Sequence, residues 1–371
     1  MNRAERNFIP GRLSCNWIAG ETRKAIRAVS KLWIDEYGSD PVSDAERPAI
    51  KGHRIVTLTM NPALDITTST ATVQSTEKLR CSAARYDPGG GGVNVAHVAD
   101  VLGARATAIL PAGGPAGEMV CNLLVDQGLT IERIKISGAT RESISVNELS
   151  TDRQYRFVLP GPELSVTEQD KCLRTLRRAA ESAAIVVASG SLPPGVPPDF
   201  YQQVSNVCAE IGATFMLDTS GGGLKRIESG VFLLKPSLRE LRECVDQELG
   251  TEAEQFAAAL DLVQRGCARH VLVSLGARGA LLANHQGGQR FSPVHVPPGS
   301  GVGAGDAMVA GVAVGLTRGW PLTKAIQLGV AAGAAALLTP GTAPPTREAT
   351  ERLVAQTQEP AYLDLTPGSH E

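Results

Sequence analysis

The stretch Ile185-Val186-Val187-Ala188-Ser189-Gly190-Ser191-Leu192-Pro193-Pro194-Gly195 opens with four apolar residues and then stops in serine, glycine and proline. A continuous, largely β-branched run of this length suits a strand buried on both faces, the habit of parallel sheets. The loop that follows leaves the carboxyl end of the strand, where ligands bind in open α/β sheets. Ser191 there can donate to a phosphate or a hydroxyl; a rigid proline turn with solvated serines is the plainer reading of the same residues.

Similar runs lie on either side. Strands are expected over 54–60, 106–110, 184–188, 214–217, 231–234 and 270–275. Helical periodicity fills the gaps at 93–102, 117–127, 168–181, 199–210, 238–245, 252–264, 305–316 and 322–338. Strands alternating with helices predict an α/β fold with a doubly wound, mostly parallel sheet. Two segments break the rhythm, near 74–88 and 142–159. The second alternates Ile144, Val146, Tyr155, Phe157 and Leu159 about the turn Ser150-Thr151-Asp152. This predicts a small antiparallel β lid inserted into the sheet domain, serving as a cover, a dimer surface or both.

The domain carrying these elements spans 53–353. Residues 1–52 read as an N-terminal extension, partly disordered, and 354–371 as a C-terminal tail. Of 371 residues 43% are hydrophobic, enough for a sizeable core. Lys+Arg 36 against Asp+Glu 38 leaves a net charge of -2, without the basic excess of a nucleic-acid binder. Seven scattered cysteines, an odd number with no Cys-x-x-Cys pair, argue against a disulfide framework or structural zinc and suit a reducing cytoplasm. No secretion signal shows, and the longest apolar run, 328–338, is too short to span a bilayer.

The densest chemistry lies in Pro297-Pro298-Gly299-Ser300-Gly301-Val302-Gly303-Ala304-Gly305-Asp306, where a glycine-rich loop enters a long helix. Free N–H groups at a helix start stabilise an anion. Asp306 in the first turn can take a proton from a hydroxyl while those groups hold a phosphoryl group, or it can simply cap the helix. Pro88-Gly89-Gly90-Gly91-Gly92-Val93-Asn94 puts four glycines before another helix; a tight crossing or close contact with a ligand would justify their entropy cost. Asp65 follows the first strand and the turn Asn61-Pro62, placed to accept from sugar hydroxyls. Lys78, Arg141 and Arg156 lie in or near the lid, where cations can close on a phosphorylated substrate. Lys235-Pro236-Ser237-Leu238-Arg239-Glu240 and Ser274-Leu275-Gly276 each follow a strand and can border a nucleotide, with Glu240 reaching its metal through water.

In this combination and order the chain, over roughly residues 54–353, resembles the ribokinase-like, PfkB-type carbohydrate kinases. The resemblance implies a doubly wound domain with a β lid, ATP and Mg2+ as cofactors, and a homodimer formed through the lid. It implies Asp306 as the base, with Gly303, Ala304 and Gly305 supplying the anion hole. Asp65, Gly90, Gly91 and Asn94 would contact the sugar. Lys78, Arg141, Arg156 and Ser191 would surround its phosphate. Lys235, Ser237, Glu240, Ser274 and Gly276 would form the nucleotide side. Two positions depart from the family pattern: Ser237 where asparagine is usual, and Gly301 where threonine is frequent. Gly91 stands where relatives acting on fructose 1-phosphate or tagatose 6-phosphate often carry lysine. The implied reaction is ATP-dependent phosphorylation of the 1-hydroxyl of fructose 6-phosphate. A nucleoside kinase would instead call for an apolar base-stacking pocket, and a non-catalytic sugar binder for a missing base.

Overall fold

A computed structural model describes residues 54–297 and 299–363. The expected N-terminal extension, Pro298 and residues 364–371 of the expected tail lie outside the described residues.

The first strand, β1 (Arg54–Leu58), is followed by β2 (Ala63–Thr70) and β3 (Arg85–Gly89). Helix α1 (Gly91–Val101), β4 (Arg105–Ala112), α2 (Gly114–Asp126) and β5 (Thr130–Lys135) come next. A hairpin, β6 (Arg141–Glu148) and β7 (Arg153–Val158), precedes α3 (Val166–Ala180). Then follow β8 (Ile185–Ser189), α4 (Phe200–Ile211), β9 (Thr214–Asp218), the short α5 (Gly222–Lys225) and β10 (Val231–Leu234). Helices α6 (Leu238–Val245) and α7 (Glu252–Gln264) lead to β11 (Ala268–Ser274), β12 (Ala280–Asn284) and β13 (Gly287–Phe291). The described residues end in α8 (Ala304–Thr317), α9 (Leu322–Ala336), α10 (Arg347–Val354) and β14 (Ala361–Tyr362).

The main sheet runs β14-β13-β12-β11-β10-β9-β8-β1-β4-β5. From β5 to β11 every pairing is parallel; β12, β13 and β14 close one edge in antiparallel fashion. Alternation within a strand splits the apolar runs between two cores. Ile55, Ile185, Val187, Met216 and Leu233 pack on one side with α1, α8 and α9 residues. Val56, Leu58, Val186, Ala188 and Leu217 pack on the other with residues of α3, α4 and α7. Both faces being covered is why these strands read as unbroken hydrophobic stretches.

Helices α8 and α9 pack backbone to backbone. A Cβ on Gly311 would sit 2.7 Å from Gly329 Cα, and one on Gly329 would sit 2.7 Å from the Met308 carbonyl oxygen. Such contact leaves no room for a side chain at the crossing and holds α8, with Asp306 at its start, rigidly on the sheet.

The lid is a four-stranded sheet in the order β3-β2-β6-β7. Its two outer pairs are antiparallel, while the central pair, β2 with β6, runs parallel over eight positions. The reason is connectivity: β2 reaches β6 through the crossover containing β4 and β5, and only a tight turn forces an antiparallel neighbour. The lid segment expected near 74–88 is strand only from Arg85 onward, and the strand missing from that expectation is β2, which carries Asp65. The end of the kinase domain extends past 353, because β14 adds to the main sheet beside β13.

Candidate active site

Strands β1 and β8 are neighbours, yet the chain proceeds from them toward opposite edges of the sheet, to β4 and β5 from the first and to β9 and β10 from the second. The crevice beyond their carboxyl ends is therefore a topological switch point, where open α/β sheets bind ligands. The starts of α1 and α8 and the loop after β8 converge there.

Asp306 is the third residue of α8, whose N-cap Gly303 has φ 77°. Its carboxylate does not cap that helix. Oδ2 accepts from Asn94 Nδ2 at 2.9 Å, and Oδ1 accepts from the Ser189 hydroxyl at 3.0 Å. Burial pushes this carboxyl above the ordinary range, while the bonds from Asn94 and Ser189 and the Lys235 charge act to lower it. Among the described residues, the N–H groups of Gly303, Gly305 and Asp306 meet no acceptor; that of Ala304 makes a long 3.4 Å turn bond to the Gly301 carbonyl. These are the orphan donors every helix start leaves, here aimed from a glycine-rich turn.

The four glycines of residues 89–92 are explained by packing. A Cβ on Gly89 would strike the Asp65 carboxylate at 2.3 Å, and one on Gly90 the Thr59 Cγ2 at 2.6 Å. On Gly91 it would lie 2.2 Å from Ser189 Oγ, and on Gly92 2.5 Å from Thr59 Oγ1. The run lets α1 press against the ends of β1 and β8, which brings Asn94 to Asp306.

On the nucleotide side expected from sequence, Lys235 is buried and pairs with Asp218 at 3.1 Å. Its Nζ lies 3.3 Å from where a Cβ on Gly305 would be, so the cation faces the start of α8. Burial opposes the Lys235 charge, but Asp218, Glu240 and Asp306 outweigh it and raise its pKa. Ser237 is the N-cap of α6 and forms a capping box with Glu240: Ser237 N–H donates to Glu240 Oε2 at 2.8 Å, and Glu240 N–H to Ser237 Oγ at 3.2 Å. Ser237 thus caps its helix, a role that asparagine fills as well. Ser274 N–H donates to the Pro236 carbonyl at 3.0 Å, tying the ends of β10 and β11 together, and Gly276 follows with φ 59°.

In the lid, Asp65 sits on β2 in register with Asp87 on one side and Ser143 on the other. Burial raises its carboxyl to about 6, against the lowering effects of Arg141 and Arg156. Arg141 donates to the Asn61 carbonyl at 3.2 Å and to that of Leu159 at 3.4 Å. Ser191 Oγ accepts from Asn61 Nδ2 at 3.2 Å. Arg156 is exposed on β7, and Lys78 is exposed on the loop between β2 and β3, outside the hydrogen-bonded cluster.

Sequence reasoning missed Ser189 and Asp218 as site residues. Ser189 is one of two serines flanking a glycine, and only the placement of β8 against the start of α8 decides which hydroxyl meets Asp306. Asp218 ends an apolar strand, a position the sequence marks but does not pair. Tyr201 and Thr219 brace the same loop by donating to the Gly190 carbonyl at 2.8 and 3.0 Å.

The model of pfkB family carbohydrate kinases matches residues 58–349. The ATP-dependent 6-phosphofructokinase isozyme 2 of Mycobacterium tuberculosis (strain ATCC 25618 / H37Rv) is 60% identical over 310 residues, 84% of this chain and 91% of that protein. Its namesake in Escherichia coli (strain K12) is 38% identical over 304 residues, 81% of this chain and 98% of that protein. The crystal structure of phosphofructokinase-2 from Escherichia coli in complex with fructose-6-phosphate matches with a TM-score of 0.76 at 36% identity, covering 82% of this chain and 98% of that one. The glycine run, the loop after β8 and the Asp306 turn all fall inside the matched span, and the chain belongs to the pfkB family of carbohydrate kinases.

Proposed function

We propose that this chain is an ATP-dependent 6-phosphofructokinase, converting fructose 6-phosphate and ATP to fructose 1,6-bisphosphate and ADP. The observation that carries the reading is the Asp306 carboxylate, held by Asn94 and Ser189 beside unpaired N–H groups at the switch point. The similarity to the two isozyme 2 proteins supports the choice of acceptor.

The sugar lies between the polar face of the lid and the start of α1. Asp65 and Asn94 accept from and donate to its hydroxyls at the floor formed by Gly90 and Gly91. Arg141, Arg156, Lys78 and Ser191 surround its 6-phosphate with charge-assisted bonds. Asp306 takes the proton of the 1-hydroxyl as O1 bonds to the γ-phosphorus. The bond from that phosphorus to the bridging oxygen breaks, and its electron pair leaves with ADP. The N–H groups of Gly303, Ala304 and Gly305 and the buried Lys235 face the transferring group, where fixed dipoles and charge stabilise the transition state. Ser274 and Gly276 border the nucleotide.

Mg2+ bound with the nucleotide supplies neutralisation of phosphate charge. The residues fit a loose hold on it. Among the described residues no cluster of three or more His, Cys, Asp or Glu could cage a metal, and Mg2+ keeps most of its waters beside nucleotides. Glu240 spends Oε2 on the Ser237 cap, which leaves Oε1, 3.5 Å from Arg239, to meet a metal-bound water.

A homodimer through the lid completes the reading. On the face opposite Asp65, register aligns Tyr86, Ile66, Ile144 and Phe157 in one row across all four strands. Tyr86 is 42% and Phe157 55% exposed, an apolar stripe that a second lid would cover. The cytoplasm is the proposed compartment: the six cysteines described are free, and no described helix is long and apolar enough to cross a membrane.

The deciding experiment is a panel with ATP and Mg2+ comparing fructose 6-phosphate, fructose 1-phosphate, tagatose 6-phosphate, fructose and ribose. Fructose 6-phosphate should show the highest kcat/KM. A preference for an unphosphorylated sugar would overturn the assignment.

A further inference from the structure

The edge strand of the lid carries an arginine that the scheme above does not use. Arg85 begins β3, and its Nε donates to Asp87 Oδ2 at 2.7 Å, two residues along on the same face. Its Nη2 donates to the carbonyl of Pro340 at 3.1 Å, across 255 residues of sequence. Pro340 lies in the loop after α9, on the body of the domain. Among the described residues this is the only side-chain hydrogen bond from the four lid strands to α8, α9 or the loops beside them.

The receiving loop is shaped for it. Gly341 has φ 62°, a conformation that L side chains rarely adopt. A Cβ there would fall 2.1 Å from Arg85 Nη2 and 3.8 Å from Asp87 Oδ2. The backbone turn therefore favours glycine, and a side chain there would push the Arg85 guanidinium off the loop. Asp87, the inner partner, is in register with Asp65 on β2, and the Asp65 carboxylate lies over Gly89 at the end of β3. A displacement of β3 is thus passed directly to Asp65.

We propose that Arg85 is a positioning residue, a latch that clips the lid to the loop around Pro340 and Gly341 and so fixes Asp65 over the sugar site. The fork geometry of the guanidinium fits this role, because one edge meets a carboxylate while the other reaches a carbonyl, which a point-like ammonium cannot match. The bond forms only when lid and body are in contact, so it biases the lid toward the closed arrangement without touching substrate. A ligand that binds only that arrangement loses apparent affinity in proportion to the closed fraction.

The test compares wild type with Arg85→Ala and Arg85→Lys in the full chain. For Arg85→Ala the KM for fructose 6-phosphate should rise by about five- to tenfold with kcat within about twofold, because chemistry in the closed complex is untouched. Arg85→Lys should recover only part of the KM. Hydrogen exchange of residues 85–89 and 339–343 without substrate should quicken in Arg85→Ala, while the β1 and β8 amides keep their protection. The thermal midpoint should barely move, since Arg85 is 40% exposed in its side chain. The inference rests on the proposed function for its kinetic arm only. If wild type proves inactive on sugar phosphates, the function reading fails and the exchange arm still decides the latch. An unchanged KM in an active enzyme, or unchanged exchange in both segments, overturns it.

Discussion

Asp306→Asn separates a catalytic carboxylate from a structural one. In wild type the two carboxylate oxygens accept from Asn94 Nδ2 at 2.9 Å and Ser189 Oγ at 3.0 Å. An asparagine of the same shape can turn its oxygen toward Asn94 and its amide toward Ser189, whose hydroxyl rotates to accept. Two charge-assisted bonds of about 1.5–3 kcal/mol become neutral ones of about 0.5–1.5 kcal/mol. Against that loss, a buried charge no longer has to be desolvated, and this offsets part of it. The net change in stability should stay within about 2 kcal/mol, so the variant folds. Turnover is another matter, since an amide cannot take the proton: it should fall by about 10²–10⁴-fold. The assay is kcat with fructose 6-phosphate at saturating ATP, alongside calorimetric binding of each substrate and a melting curve. Folded protein that binds both substrates but turns over slowly supports the base. Turnover within tenfold of wild type would refute the mechanism.

A methyl at Gly91 would lie 2.2 Å from Ser189 Oγ and 2.8 Å from the Gly190 nitrogen. Gly91→Ala should therefore lower stability by about 1–3 kcal/mol, as overpacking does, and pull Ser189 off Asp306, reducing kcat; a melting curve and kcat both at wild-type values would contradict this. His270 is buried, its ring 4.9 Å from that of Phe232, and burial lowers its pKa to about 4. The unfolded chain then binds the proton more readily between pH 6.5 and 4, so stability is lost as pH falls through that window. His270→Phe should gain about 2 kcal/mol relative to wild type on going from pH 7.5 to 5, measured by urea titration; a difference constant with pH would exclude His270 as the cause. Phe157→Asp puts a charge in the apolar row of the lid and should convert a dimer to a monomer in sedimentation at micromolar concentration. A wild type that already sediments as a monomer would dispose of the lid interface.

Where a segment carries a strong local pattern, the sequence reads almost directly. Strands β8 and β10 and helices α6 and α7 fall where the apolar runs and periodicity put them, because propensity, pattern and capping all act within a few residues. Strand β2 escaped notice. Its sequence Ala-Leu-Asp-Ile-Thr-Thr-Ser-Thr has few apolar residues and no sharp alternation of buried and exposed positions, and its partner β6 arrives only after a long crossover. Strands β12 and β13, at the antiparallel edge, were missed as well.

The site divides the same way. The sequence by itself determined the Asp306 turn, the glycine run and the strand-end loops, since a helix start and a glycine-rich loop are local features whose backbone chemistry travels with them. Only the tertiary structure decided which groups meet: Ser189 and Asn94 on Asp306, across 117 and 212 residues, Asp218 on Lys235, and Arg85 on Pro340. Such pairings depend on the register between strands and on how closely two helices approach. Those are set by the summed packing of both cores, and no short window of sequence contains them.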